Sequence, residues 1–150
     1  MRAVSVSQTF EATIGEVERR WYDTADWPRW VDGLDTVLAV DRGWPRPGAA
    51  VTWQSVPAGR GRVTERVIGY EPLRGQALEV SDDSIRGRQS VAFAPAGDLV
   101  NVVLSLEYEL LRRSVVSPVV DLLFIRRAMT ASLSATLSRF GAGLRADRQA

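Results

Sequence analysis

Between residues 3 and 10 apolar and polar positions alternate, with Val4, Val6, Gln8 and Phe10 on one face and Ser5, Ser7 and Thr9 on the other. That period of two predicts a half-buried strand. "TIGE" follows, where Thr13 and Glu16 have the spacing of a capping box that satisfies orphan amides at a helix start. Val17 and Trp21 lie four apart on one face of this helix. In "TADWPRWVDG", Asp26 is placed to cap a second short helix with Pro28 in its first turn, where the missing amide does no harm. Trp27 and Trp30 then share a face, and Gly33 ends the segment.

From Leu34 to Leu111 the pattern returns to short runs separated by turn signals: "RGWPRPG", "PAGRG", "EPLRG", "SDDS" and "APAGD". The spacing predicts a meander of antiparallel strands. The last of them, "NVVLSLEYEL", places Val102, Leu104, Leu106, Tyr108 and Leu110 on one face and Val103, Ser105, Glu107 and Glu109 on the other. After Pro118 the period changes to about 3.6. Leu122, Ile125, Met129, Leu133, Leu137, Phe140 and Leu144 form one stripe, and Arg126, Arg127, Arg139 and Arg145 lie mostly off it. An amphipathic helix of about seven turns results, and the sheet is the partner that its stripe must cover. One strand, two small helices, about six strands and one long helix make an α+β domain. A sheet curled around a single helix need not close on it everywhere, so a cavity between the two is expected.

Composition narrows the chemistry. The 150 residues fit a single domain spanning 1–150, with no repeat or linker composition. The chain has no cysteine, histidine or lysine, and all 19 basic residues are arginine. Thiolate nucleophiles, Cys/His zinc sites, Ser-His-Asp triads, Schiff-base lysines and a P-loop lysine are thereby excluded. Any chemistry falls to Asp, Glu, Tyr, Arg, Ser, Thr or water. A net charge of +1 gives no footprint for nucleic acid. "MRAVSVSQTF" lacks an unbroken apolar h-region, so no signal peptide is expected. The apolar run of four residues in "SPVVDLLFIRRAM" is far below the roughly 20 that a membrane-spanning helix needs. A cytoplasmic location is expected.

The order of elements, with "FEATIGEVERRWYDTADWPRW", "VTERVIGYEPLRGQALEV" and "LVNVVLSLEYEL" before the long helix, resembles the helix-grip fold of the START-related SRPBCC superfamily, within it the polyketide cyclase/dehydrase-like group. The resemblance covers essentially the whole chain. It implies a curved antiparallel sheet of about seven strands, with two short helices after the first strand, wrapped around the long C-terminal helix. It also implies that Trp27 and Trp30 plug one end of the sheet, each burying on the order of 200 Å².

Members of the superfamily bind lipids, sterols, polyketides or other apolar molecules between the long helix and the concave sheet face. On "VTERVIGY", period two places Thr64, Arg66, Ile68 and Tyr70 on one side and Val63, Glu65, Val67 and Gly69 on the other. Both sides carry apolar residues, so alternation leaves either one inward. The resemblance carries Arg66 and Tyr70 into the cavity, where a ligand carbonyl, phenolate or carboxylate would partner the arginine. Tyr108, Leu106, Trp53, Trp30 and Met129 complete the candidate ligand-binding set, with no catalytic residue assigned. The competing reading of Arg66 is a surface ion pair. For Tyr70 and Tyr108 it is packing against the helix.

Small residues Ala128, Ala131, Ser132 and Ala135 on the helix either leave space for a ligand or permit close packing. "GRGR" at 59–62 reads as a turn, and Asp82 and Asp83 as turn residues and not a metal site. The expected function is a binding protein for a lipid, quinone or aromatic polyketide, without cofactor or metal, as a monomer or homodimer. Its enzymatic version is a cyclase or dehydratase in which a Tyr or Arg polarises a carbonyl, although the missing histidine removes the easiest base at neutral pH. Two other readings stay open: lipid or quinone handling at a membrane surface through the arginine-apolar segment 110–127, and a chaperone-type protein-interaction domain.

Overall fold

A computed structural model describes residues 2–111 and 118–150. The order is β1 (Arg2–Glu11), α1 (Ile14–Tyr22), a 3-10 turn (Thr24–Asp26), α2 (Trp27–Trp30), β2 (Leu34–Val40), β3 (Ala50–Ser55), β4 (Arg62–Glu71), β5 (Gly75–Ser81), β6 (Ile85–Ala96), β7 (Leu99–Leu110) and α3 (Pro118–Gln149). This is the expected helix-grip architecture, a curved seven-stranded sheet of order β1-β7-β6-β5-β4-β3-β2 with α3 against its concave face. Every neighbouring pair is antiparallel. Of the segment 110–127, which reads either as a loop and first turn or as a membrane-surface element, residues 112–117 lie outside the described residues.

The alternation in β7 is fulfilled by burial: Val102, Leu104, Leu106 and Tyr108 are buried, while Glu107 and Glu109 point away. Strand β1 pairs with β7 along its whole length, Val4 opposite Leu106 and Phe10 opposite Val100. The convex face is polar in a particular way, since one cross-strand row reads Arg66, Glu79, Arg88, Glu107 from β4 to β7. Opposite charges face each other at every step. That alternation favours this register over one shifted along any strand.

The capping box at α1 forms with both halves: Thr13 Oγ1 accepts from the Glu16 amide at 3.2 Å and Glu16 Oε1 accepts from the Thr13 amide at 3.4 Å. Asp26 departs from expectation. It stands at the start of α2 but makes no capping hydrogen bond, because its carboxylate is taken by Arg20 at 2.9 Å and by Arg29 at 3.4 Å. An arginine one helix away outcompetes the backbone amides for the same oxygens.

In α3 the stripe residues Leu133, Leu137, Phe140 and Leu144 are buried, with Ile125 and Met129 half-buried against the core. Two glycines let other elements approach this helix. A Cβ on Gly141 would lie 2.5 Å from the Phe10 ring, and one on Gly143 would fall on the Arg20 guanidinium. Without side chains at those points, Phe10 packs on Phe140 and Arg20 crosses the helix to Asp147 at 2.6 Å. The helix propensity lost at glycine, about 1 kcal/mol each, is offset by these contacts.

Candidate functional site

Five aromatic rings close one end of the sheet. Trp21 lies 4.8 Å from Trp30, 5.0 Å from Phe140 and 6.0 Å from Phe93, and Trp27 lies 6.3 Å from Trp30. Most of these pairs are edge-to-face, the arrangement that aromatic quadrupoles favour. The Trp-Pro-x-Trp segment therefore plugs the sheet as expected. Its two indoles differ in their polar edges. Trp27 Nε1 donates to the Trp21 carbonyl at 2.8 Å, whereas Trp30 Nε1 is buried with no partner among the described residues.

Beside this plug, between α3 and the concave face, is a cavity of about 50 Å³. It has room for roughly three to five waters. Its apolar walls include Trp21, Trp30, Trp53, Leu78, Leu104 and Leu133, and its polar groups include Asp32, Arg60, Glu65, Gln76, Gln89 and Ser132. Glu65 stands on the inner face of β4 between Val63 and Val67 and is only 6 % exposed. The Trp53 indole N–H donates to its Oε2 at 3.0 Å. Burial pushes the Glu65 carboxyl above the ordinary carboxylate range, and the Trp53 hydrogen bond and the Arg60 charge pull it only part of the way back. Arg60 is held from the side: its Nε donates to Asp82 Oδ2 at 2.6 Å, and its guanidinium carbon stands 5.6 Å from the Trp53 ring centre. On the α3 side, Ser132 Oγ donates to Asp32 Oδ2 at 2.7 Å and Arg139 pairs with Asp32 Oδ1 at 3.1 Å.

The candidate residues are distributed unevenly about this site. Trp30 and Trp53 line the cavity. Leu106 and Tyr108 are buried on the concave face, the Tyr108 hydroxyl without a partner among the described residues, but neither lines the cavity. Met129 packs at the edge of the core. Tyr70 reaches the concave side through a β-bulge between Val67 and Gly69, which brings it opposite Gln76 and 5.6 Å from Tyr22.

Arg66 is a correction. It precedes the bulge and lies on the convex face, where it is exposed and its Nη1 donates to the Gly48 carbonyl at 2.7 Å. It has no path to the cavity because the sheet lies between. Ala128 and Ala131 are exposed on the outer side of α3, so of the four small residues Ser132 is the one that lines the cavity.

Tyr22 and Tyr70 are both pushed above the ordinary phenol range, chiefly by burial and then by the Glu18 charge. At neutral pH they are hydroxyl groups, not bases. Asp82 acts in the turn, accepting from the amides of Ser84 at 2.7 Å and Ile85 at 2.9 Å as well as from Arg60. Among the described residues, no cluster of three or more acidic side chains could hold a metal, and no helix is long and apolar enough to cross a membrane.

Glu65, Arg60, Gln76 and Gln89 were not singled out in the sequence. A signal for one of them existed: Glu65 alternates with Val63 and Val67, an acid on an otherwise apolar period. What the site can do chemically is surround a small aromatic or aliphatic group while hydrogen bonding one polar end of it.

The fold has many solved counterparts. A START superfamily protein from Mycobacterium smegmatis superposes with a TM-score of 0.75 at 15% identity, covering 95% of this chain and 97% of that one. A conserved protein from Geobacillus kaustophilus gives 0.76 at 9% identity, with 96% and 95% covered. Norcoclaurine synthase from Thalictrum flavum, in complex with dopamine and hydroxybenzaldehyde, gives 0.67 at 12% identity, with 94% and 84% covered. No curated protein matches the sequence. The family model described as polyketide cyclase / dehydrase and lipid transport matches residues 1–145. With that match over nearly its whole length and a START-type helix-grip fold, the chain belongs to the family described as polyketide cyclase / dehydrase and lipid transport.

Proposed function

We propose that this protein binds an apolar small molecule, a lipid, quinone or aromatic polyketide, between α3 and the concave face of the sheet, in the cytoplasm and without a cofactor. The observation that carries the reading is the cavity itself, aromatic-walled and edged by a few buried polar groups. The family's description as cyclase, dehydrase and lipid transport supports it. At about 50 Å³ the cavity is below the roughly 150 Å³ that holds benzene in an engineered core, so ligand entry requires side chains to move. Trp30 and Trp53 line it, and Leu106, Tyr108, Tyr70 and Met129 stand next in line as the space enlarges. The enzymatic version is a cyclase or dehydratase in which a buried hydrogen-bond donor polarises a ligand carbonyl. Native mass spectrometry of the purified protein tests the reading. An added mass that extracts into organic solvent is expected. A clean apo mass, with no thermal shift from fatty acids, quinones or aromatic polyketides, would overturn it.

A specific observation favours a second reading. Phe124 is 72% exposed and Leu123 60% exposed, beside exposed Arg126 and Arg127 in the N-terminal part of α3. Apolar and basic side chains so placed suit the surface of an anionic membrane. Flotation with anionic liposomes that is lost with neutral ones would support transfer at a membrane. Absence of flotation with either would leave binding in solution.

A further inference from the structure

We propose that Glu65, with the Arg60 guanidinium and the Trp30 indole, forms a polar recognition end of this cavity that selects ligands presenting an uncharged carbonyl-type oxygen, as in a ketone or quinone, over hydrocarbons and over carboxylates. The proposal rests on the binding reading above and gives that site a ligand chemistry.

Glu65 has no ion-pair partner among the described residues. It is buried on the concave face of β4, and its oxygen Oε2 accepts from Trp53 Nε1 at 3.0 Å. Arg60 does not pair with it: within ion-pair distance among the described residues, that guanidinium meets Asp82 instead. A buried carboxylate without a paired cation costs several kcal/mol, so burial favours the form of the carboxyl that keeps its proton. The direction of the burial effect on Glu65 agrees. The other charged groups lining the cavity do not reverse this. Asp32 is held by Ser132 and Arg139, and Arg60 is neutralised by Asp82. An un-ionised carboxyl has one O–H to donate, and the oxygen that accepts from Trp53 is occupied as an acceptor.

The neighbouring groups have the same polarity. Arg60 Nη2 and Trp30 Nε1 are buried donors without partners among the described residues. Gln76 donates its Nε2 to the Pro45 carbonyl at 3.0 Å, which leaves buried Oε1 as an acceptor without a partner. Three donors and one acceptor therefore belong to residues that line one small space. A carbonyl oxygen, with two lone pairs and no proton, is complementary to such a set. A hydrocarbon would leave the donors unsatisfied, and a carboxylate would add a second buried acid beside Glu65.

Acetophenone, isopropylbenzene and benzoate are near-isosteric probes that separate these cases, titrated by calorimetry at neutral pH into wild type, Glu65→Gln and Glu65→Leu. Wild type is expected to prefer acetophenone over isopropylbenzene by about tenfold, the worth of one hydrogen bond that would otherwise be left unmade. Glu65→Gln keeps an N–H donor and is expected to retain the preference. Glu65→Leu is expected to lose it while still binding isopropylbenzene. Infrared difference spectra of wild type against Glu65→Gln are expected to show the band of an un-ionised carboxyl, perturbed when acetophenone binds. An unchanged preference in Glu65→Leu, an ionised Glu65 in the infrared spectrum, or benzoate binding tighter than acetophenone would each overturn the proposal while leaving the binding reading intact. If neither neutral probe binds, the binding reading itself fails and this inference falls with it.

Discussion

Replacing Glu65 by glutamine tests the buried carboxyl without any ligand, through the pH dependence of stability. The folded Glu65 holds its proton above the reference value of 4.5 that applies to the unfolded chain. Between those two values the folded state carries a proton that the unfolded state has released, so unfolding is favoured as pH rises. The contribution is fully present below 4.5 and is lost progressively through the window above it. One proton sets the limiting slope at 2.303RT, about 1.4 kcal/mol per pH unit.

Glu16 has the opposite sign. Its hydrogen bond with Arg148, and then those with Thr13, hold it below 4.5, so its share of stability is present at neutral pH and lost on acidification. That share is common to wild type and Glu65→Gln, and it cancels in their difference because the two sites do not touch. Urea denaturation followed by tryptophan fluorescence at a series of pH values from about 4 to 8 gives the difference directly. Wild type is expected to lose stability relative to Glu65→Gln as pH rises, at up to about 1.4 kcal/mol per unit. Two curves that stay parallel would mean that Glu65 ionises normally in the folded protein, and the case for a neutral acid in the cavity would collapse.

Three further outcomes follow from packing and placement. Phe140→Ala removes a fully buried ring at 5.0 Å from both Trp21 and Trp30, and equilibrium denaturation is expected to show a loss of about 3–5 kcal/mol. Gly141→Ala gains about 1 kcal/mol of helix propensity but drives a Cβ to 2.5 Å from the Phe10 ring. Overpacking of about 1–3 kcal/mol prevails there, and the melting temperature is expected to fall. Arg66→Ala, on the convex face, is expected to leave the affinity for acetophenone unchanged and to cost less than about 1 kcal/mol, the scale of an exposed cross-strand charge pair. A large loss of affinity in that variant would contradict its position in the fold.

The fold was legible because each element carries its own period. Strand β7 and helix α3 declare their buried faces by spacings of two and of about 3.6, and those faces point into one shared core. The Thr13–Glu16 box was legible for a local reason: donor and acceptor lie within one turn. Asp26 was not, because the arginine that claims it comes from α1, and nothing local distinguishes a cap from an ion-pair partner.

The candidate site was legible only as far as parity holds. Arg66 and Tyr70 have the same parity along β4, which predicts one face for both, yet the extra residue between Val67 and Gly69 separates them onto opposite faces. A bulge changes the face of every residue beyond it and leaves no mark in the hydrophobic pattern when the flanking residues are Ile, Gly and Tyr. Transferring a position by strand and count therefore fails at that point. Glu65 precedes the bulge, in phase with Val63 and Val67 and with Trp53 on the next strand. For such a residue the interruption of an apolar period is the stronger signal. The energetic penalty of a buried acid requires a compensating partner, and among the described residues the one hydrogen bond that Glu65 receives from a side chain comes from the Trp53 indole. What remains for a ligand to satisfy is the carboxyl proton, and that is the reason to begin the search for a ligand at Glu65 and not at Arg66.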